Sequence, residues 1–561
     1  MTLRRVCLIL VLFLVFTVCA VSVFGQFTSD PNDRLYRFLT IWEEKGYIHR
    51  VPPIRPYPPQ LLKSLLSEVR RKGEPQDSRV AEQYYRSLFP QDAQAEDERA
   101  ESAAARDNEN LLKGSLHPSL GGELMTETED IYWKLRAAVD TLGSIGDYVA
   151  FTGKFAYSFI DNPGDDFYPR WMNVLDESRS GGGVISAGDR EIDMAQLGLF
   201  GLHFGTDWIY FQAGLMRSSF GPFYDHGAVL GPQAPAAGHF SFTFRATDWL
   251  TVSSVYLELA AEYKEDIATG SRTEIGKVVN KYLVLHSLVF YPFDWWTLGV
   301  IQTVVAGNRF NPVYLIPLQH MFYTQQLWGD EDSSFLGFYT EFSLPHDLGI
   351  DLLLYVDDWD AFGGASKTGS TGFNLDSAQN KFALQIGLSW TPSYRVFRRV
   401  SLDYLMITPY TYTHSAHRAV DFLSYTHAGE NLGSILDPNS DQITLTVFLT
   451  PTDWLDLDVW GRFIRHGNAS EDYSTGDGTI YDDGYTSAGD VTFYGHSRFL
   501  TQDTLEKVLQ AGLDLEFRFP LKWGSLSFEM GYILEQIWNK DLVSGRNESN
   551  QFFSFGIGIR F

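Results

Sequence analysis

Cysteine is nearly missing: the 561 residues hold two, Cys7 and Cys19. Everything downstream of them is therefore barred from disulfide scaffolding, thiol catalysis and Cys-ligated zinc. Basic residues are the minority, 44 Lys and Arg against 70 Asp and Glu, for a formal net charge of −26. That balance excludes a nucleic-acid binder, which needs clustered cations to neutralise phosphates. After the first 25 residues no run of about 18 apolar residues occurs, so no transmembrane helix is expected there. Also missing are an HExxH pair, a Gly-rich phosphate loop and a G-x-S-x-G elbow. His414 and His417 lie three apart in a loop-like stretch, and Asp477, Asp482 and Asp483 in GDGTIYDDG miss the EF-hand spacing. No metal, no cofactor and no nucleic-acid partner is expected.

What is present begins with MTLRRVCLILVLFLVFTVCAVSVFGQ. Arg4 and Arg5 precede an apolar core from Val6 to about Val18, and Val23-Phe24-Gly25 supplies a cleavage site before Gln26. The pattern predicts an export signal over 1–25. An uncleaved N-terminal anchor is the competing reading. Lipidation at Cys19 is another, disfavoured by the bulky Val18 before it. Loss of Arg4 and Arg5 takes the charge from −26 to −28. An exported chain without helical spans is periplasmic, secreted or an outer-membrane β-barrel, and the strand pattern decides.

Residues 26–90 read as a helical region facing the periplasm. Asp33 caps RLYRFLTIWEEKGY, whose Leu35, Phe38, Leu39 and Trp42 recur at helical spacing, and Gly46 ends it. The proline-rich VPPIRPYPP breaks the pattern. QLLKSLLSEVRRKG resumes it, and a third short helix is expected over VAEQYYRSLF. The apolar faces of these helices need a partner: the mouth of a barrel, a periplasmic protein or the inner leaflet. The stretch 91–112 has almost no large apolar residue and reads as an acidic linker or exposed helix.

From about residue 113 the period changes to two. In LDLDVWGRF, Leu455, Leu457, Val459 and Phe463 share one face, while Asp456, Asp458, Trp460 and Arg462 share the other. LDLEFRF (513–519) and IYWKLRAAVD (131–140) alternate likewise. Many strands reach about ten residues, enough to cross a bilayer at a tilt. Short connections (GTDW 205–208, ATDW 246–249, PFDW 292–295, LPHD 344–347, PTDW 451–454, PLKW 520–523) alternate with long polar ones such as 161–192, 218–238, 307–333, 413–440 and 467–507. A turn residue followed by Trp suits a tight turn at a membrane interface. The expected fold is all-β, a transmembrane antiparallel barrel of about 18 strands over 113–561, with both ends on the short-turn side. Strands near 113–125 and 551–561 close it. The terminal alternation QFFSFGIGIRF, ending at Phe561, resembles the signal read by the outer-membrane barrel assembly machinery.

One stretch carries a family likeness. MRSSFGPFYDHGAVLGPQAPAAGHFSFTFR (216–245) resembles the Arg-x-x-Trp-Gly-Pro-Gly…Ser-x-Ile-Leu…Ala-Pro-x-Pro-Gly pattern of the capsule assembly Wzi family. Phe220 stands where the family has tryptophan, and Phe223 where it has the second glycine. The order of Gly46-Tyr47-Ile48, Arg55-Pro56 and the 311–359 segment is similar to that family too. The resemblance implies a non-enzymatic outer-membrane barrel that binds or organises extracellular polysaccharide. A porin or uptake channel is the alternative, given a polar lumen face. Arg217, Phe220, Tyr224, Asp225, His226 and His239 are the candidate ligand-binding residues, on a loop expected to face the ligand. Asp456, Asp458, Asp514 and Glu516 could form an acid/base pair, but hydrating the lumen and pairing with Arg462 and Arg518 explains them better.

Overall fold

The computed structural model describes residues 30–101, 112–127, 130–161, 168–172, 184–187, 190–223, 226–263, 280–307, 309, 311–317, 319–327, 332–359, 380–394, 396–414, 420–468, 480, 499–521 and 524–561. The export signal expected over 1–25 and the candidate residues Tyr224 and Asp225 lie outside them.

Eighteen antiparallel strands close into one barrel. In chain order they are β1 (Leu112–Glu127), β2 (Asp130–Ile145), β3 (Val149–Asp161), β4 (Arg190–Gly205), β5 (Ile209–Met216), β6 (Ala237–Thr247), β7 (Leu250–Ala260), β8 (Asn280–Phe293), β9 (Trp296–Gly307), β10 (Ser333–Leu344), β11 (Leu348–Asp358), β12 (Lys381–Trp390), β13 (Phe397–Ile407), β14 (Ser440–Thr452), β15 (Leu455–His466), β16 (Glu506–Leu521), β17 (Gly524–Trp538) and β18 (Glu548–Arg560). Each pairs with the next. The seam joins β1 to β18 in a register running from Ser119 opposite Arg560 to Glu127 opposite Phe552. Closure removes the unpaired strand edges that an open sheet would expose.

The period of two explains the two surfaces. Leu116, Ile131, Phe155, Leu445, Val459 and Ile557 are exposed on the outside, a wall suited to hydrocarbon. Trp208, Trp249, Trp295 and Trp454, each following an Asp in a short turn, are also exposed and form an aromatic girdle at that end. The Glu127 end of β1 and the Asp130 start of β2 lie on the long-loop side.

The N-terminal helices are α1 (Arg34–Glu44), α2 (Pro59–Lys72), α3 (Pro75–Leu88) and α4 (Pro90–Glu101). The Asp33 side chain accepts from the Leu35 amide, and Gly46 turns the chain with φ +70°. α3 starts five residues before the expected VAEQYYRSLF because Pro75 occupies its first turn, where a missing N–H costs nothing. Next to the expected boundary at 90/91, α3 ends at Leu88, and the stretch expected as an acidic linker or exposed helix is helical as far as Glu101. α4 begins at Pro90, and Asp92 takes ion pairs from both Lys63 and Lys113 at 2.7 Å.

The helices pack into the short-turn mouth of the barrel. Phe38 of α1 meets Phe448 of β14 edge-on at 5.9 Å, and Tyr210 of β5 joins the same buried cluster. The turn aspartates hold this cap. Ser64 donates to Asp207, Arg50 pairs with Asp294 at 3.0 Å, and Arg79 reaches Asp453 at 3.8 Å. A β-bulge in β13 turns two consecutive arginines toward the helices. Arg398 then pairs with Asp77 of α3, and Arg399 with Glu44 of α1 at 2.9 Å.

Candidate functional site

The lumen is occupied from both ends, and the two occupants meet. From the helical side, the connector between α1 and α2 runs into the barrel. From the long-loop side, the β5–β6 connection folds inward. Ile54 and Arg55 pair antiparallel with Phe220 and Ser219 in a two-stranded sheet, and the Gly221 amide donates to Pro53 O at 3.0 Å. Around this junction Phe223, Val229 and Leu230 pack on Val255, Leu285, Ile301 and Leu353 from the barrel wall. The β13–β14 connection adds Tyr412 and Tyr425, whose hydroxyls donate to Ala228 O and Val229 O at 2.6 Å. Their rings join Phe335 and Tyr355 in an aromatic cluster. Toward the long loops the half of the lumen bounded by β6–β13 is thus a packed apolar core, while at its helical end Glu341 and Asp351 of the wall border a small cleft with Glu43 and Glu44 of α1.

This places the candidate ligand residues differently from expectation. Arg217 is buried and pairs with Asp30 at 3.5 Å. Phe220 is 2 % exposed, edge-on to Tyr339 at 5.8 Å. His239 is buried, its Nδ1 bonded to Ser218 Oγ at 2.8 Å. His226 is half-buried, and its carbonyl accepts from Gln385 Nε2 at 2.9 Å. The described residues of the motif loop thus fold inward as a clamp. Apolar Phe220, Val229 and Leu230 drive it into the barrel, where they escape water.

The other half of the lumen is polar. A cavity of about 410 Å³ lies between Pro31–Arg34 and Arg37 on the helical side and β15–β18 with β1 on the wall. Its wall carries Asp456, Asp458, Asp514, Glu516, Glu529 and Glu123, and small residues (Gly531, Ser554, Gly556) leave the space open. These carboxylates are largely engaged. Asp456 pairs with Arg34 and with Arg518 at 2.8 Å, Asp458 with Arg37 at 2.7 Å, and Asp514 accepts from Trp460 Nε1 at 2.7 Å. The expected Arg518 pairing is present. Arg462 instead bonds Gln510 and Arg170 O. Among the described residues no cluster of three or more His, Cys, Asp or Glu could hold a metal ion.

Toward the long-loop end, Arg170 and Trp171 from the β3–β4 connection close over this polar half. Arg170 grips Glu506 through two nitrogens at 3.0 and 3.1 Å and reaches Asp541 at 3.1 Å, while Trp171 Nε1 donates to Glu506 at 2.9 Å. Sequence reasoning missed this clamp. The only signal was an Arg-Trp pair in a long loop, with no periodicity to say where it points.

At the helical end, the surroundings shift three carboxyls. Burial pushes Glu43 up to about 7, against the Val51 amide that bonds it and Arg55 nearby. Burial also raises Asp33 to about 6, against its bond from Leu35. Burial opposes ionisation of Asp77 too, but Arg398, Lys45 and Trp42 outweigh it and hold that carboxyl below its usual range.

No protein-family model and no curated protein sequence matches the chain. Solved structures do. It is similar to Wzi of Escherichia coli, an outer-membrane protein involved in group 1 capsule assembly and described as a carbohydrate-binding β-barrel, with a TM-score of 0.53 at 13% identity over 97% of this chain and 100% of that one. OprD of Pseudomonas aeruginosa gives 0.42 at 11% identity over 80% and 95%, and OccD3 of the same organism 0.41 at 14% over 80% and 91%. At these identities the likeness is one of fold: the chain has the closed 18-strand architecture of outer-membrane β-barrels.

Proposed function

We propose that the chain is a non-enzymatic protein of the outer membrane that holds extracellular polysaccharide at its long-loop rim, with the helices α1–α4 in the periplasm. The observation that carries this reading is the junction of Ile54–Arg55 with Ser219–Phe220. A barrel filled from both ends at its centre is suited to binding at its rim and poorly suited to passing solutes of sugar size. Aromatic rings on that rim, such as the exposed Trp359, suit stacking on pyranose faces. The likeness in fold to a carbohydrate-binding barrel supports the same reading. The closing strand β18, with Phe553, Phe555, Ile557 and Ile559 on one face, is the handle for the barrel assembly machinery.

Purified protein in detergent should bind polysaccharide extracted from the surface of its own cells, and deletion should loosen the coat. No binding to any such glycan, together with an unchanged coat in the deletion strain, overturns the proposal. The second reading is a channel, favoured by the 410 Å³ acidic cavity beside the helices. Steady, cation-selective single-channel conductance of the intact protein in a planar bilayer would replace the first reading with it.

A further inference from the structure

The described residues of the β9–β10 connection, read from sequence as a long polar loop, lie against the outside of the barrel. On β8 and β9 the odd-numbered Leu283, Leu285, Ile301 and Val305 belong to the lumen core, so the even-numbered side chains point outward. Outward side chains elsewhere on the wall are open, as Phe338 is at 44 %. Yet Tyr282, Val284, Val304 and Ala306 are at most 2 % exposed. They are covered by Tyr314, on the 3-10 turn Pro312–Leu315, and by Met321, on the short helix Met321–Leu327.

Polar bonds fasten the cover. His286 Nε2 lies 2.8 Å from Tyr314 O, Gln302 Oε1 accepts from the Met321 amide at 3.0 Å, and the Asn311 amide donates to Tyr282 Oη at 3.0 Å. His286 is seven residues above the end of β8 at Phe293. At a net climb of roughly 2.5 Å per tilted residue it stands about 17 Å above the Trp girdle, within an apolar band about 25 Å tall.

We infer that this segment is a flap immersed in the outer leaflet, its free face turned to lipid acyl chains. Two features fit it to that solvent. Its polarity is largely inverted: Asn311, Thr324 and Asp332 are buried, while Leu315, Ile316, Tyr323 and Leu327 are 37–65 % exposed and continue the apolar wall, with His320 and Gln326 the exposed polar residues among those described. Its backbone is also largely satisfied from within, as hydrocarbon demands. Val313, Tyr314, Ile316, Gln319 and Thr324 amides all find acceptors inside the segment, and Pro312 and Pro317 bring no N–H. The flap thereby shields His286 and Gln302, which would otherwise present polar atoms to lipid. The inference needs only the barrel's orientation and is independent of any glycan.

The test uses nitroxide labels on single cysteines, Ile316→Cys and Leu327→Cys, in the full chain with Cys7 and Cys19 changed to Ser, reconstituted in phosphatidylcholine vesicles. Phe338→Cys gives the wall reference and Tyr394→Cys, in a short turn, the water reference. Both flap labels should relax with oxygen as the wall label does, and with a water-soluble nickel chelate several-fold less than the turn label. Nickel accessibility equal to that of the turn label would put the flap in water and overturn the inference. Low accessibility to both relaxers, with spin–spin broadening, would mean that a second copy covers it, which also overturns it.

Discussion

Asp77 is the most exacting test of how the helices are held. It is 0 % exposed and sits between Lys45 (4 %) and Arg398 (3 %), with the Trp42 indole also donating to it at 3.0 Å. Asp77→Asn keeps the volume and one acceptor but leaves two buried cations facing a neutral amide. Removing one partner of such a cluster costs about 3–5 kcal/mol. Because Arg398 belongs to the barrel wall, most of that loss falls on the docking of α1 and α3. With every 1.4 kcal/mol worth about tenfold, the undocked population should rise by roughly two to three orders of magnitude. Limited proteolysis within 30–101 and single-channel recording read this directly: the variant should be cut far faster, and should show bursts of conductance that the parent lacks. A change of Asp77, Lys45 and Arg398 together to apolar residues of similar size should recover most of the protection, since a buried ion cluster is seldom more stable than its apolar replacement. If Asp77→Asn is as protease-resistant and as silent as the parent, the cluster does not hold the helices and the reasoning fails.

Two further outcomes are expected. Burial holds the Glu43 and Asp33 carboxyls above their usual 4.5 and 3.8, pushed up to about 7 and about 6, so the docked helices bind more protons than the free ones in that window. Docking should therefore weaken as pH rises from about 4 to about 7. Asp77 acts oppositely, its contribution being present above 3.8 and lost as pH falls below that. Protease protection should peak near pH 4–5, and Glu43→Gln should flatten the neutral limb; an unchanged limb in that variant rejects the assignment. Separately, Ile54→Cys with Phe220→Cys places two thiols on directly opposed antiparallel positions, which are close enough to bridge. Mild oxidation should cross-link them fully in the folded barrel, and a folded barrel whose thiols stay free contradicts the central junction.

The sequence made the barrel legible because tilted strands leave two strong marks: the in–out alternation, and turns that must be short where nothing else competes for the chain. Thr-Asp-Trp at 206–208, 247–249 and 452–454 located three of those turns to the residue. The second use of their aspartates, as anchors for Ser64, Arg50 and Arg79, was not legible, since those partners lie more than a hundred positions away for Ser64 and about two hundred or more for the other two. Nor was the bulge that aims Arg398 and Arg399 inward, because strict alternation assigns them to opposite faces. Loops carry no period at all. The 216–245 stretch could be matched by residue type, but its inward path is set by what Phe220 and Leu230 pack against, and that exists only once the wall has formed. Tyr412 and Tyr425 escaped notice for the same reason.

The uneven filling of the lumen gives the barrel two mechanical sides. Between β6 and β13 the ladder has hydrocarbon on one face and packed side chains on the other, so its amides have no solvent competitor and should exchange hydrogen very slowly. From β15 round to β1 the inner face borders the acidic cavity, whose ion pairs with Arg34 and Arg37 can re-form through water. A load applied at the rim would then be carried stiffly down one side and absorbed by the other, tilting the helical cap about Phe38 and Phe448 instead of pushing it straight out.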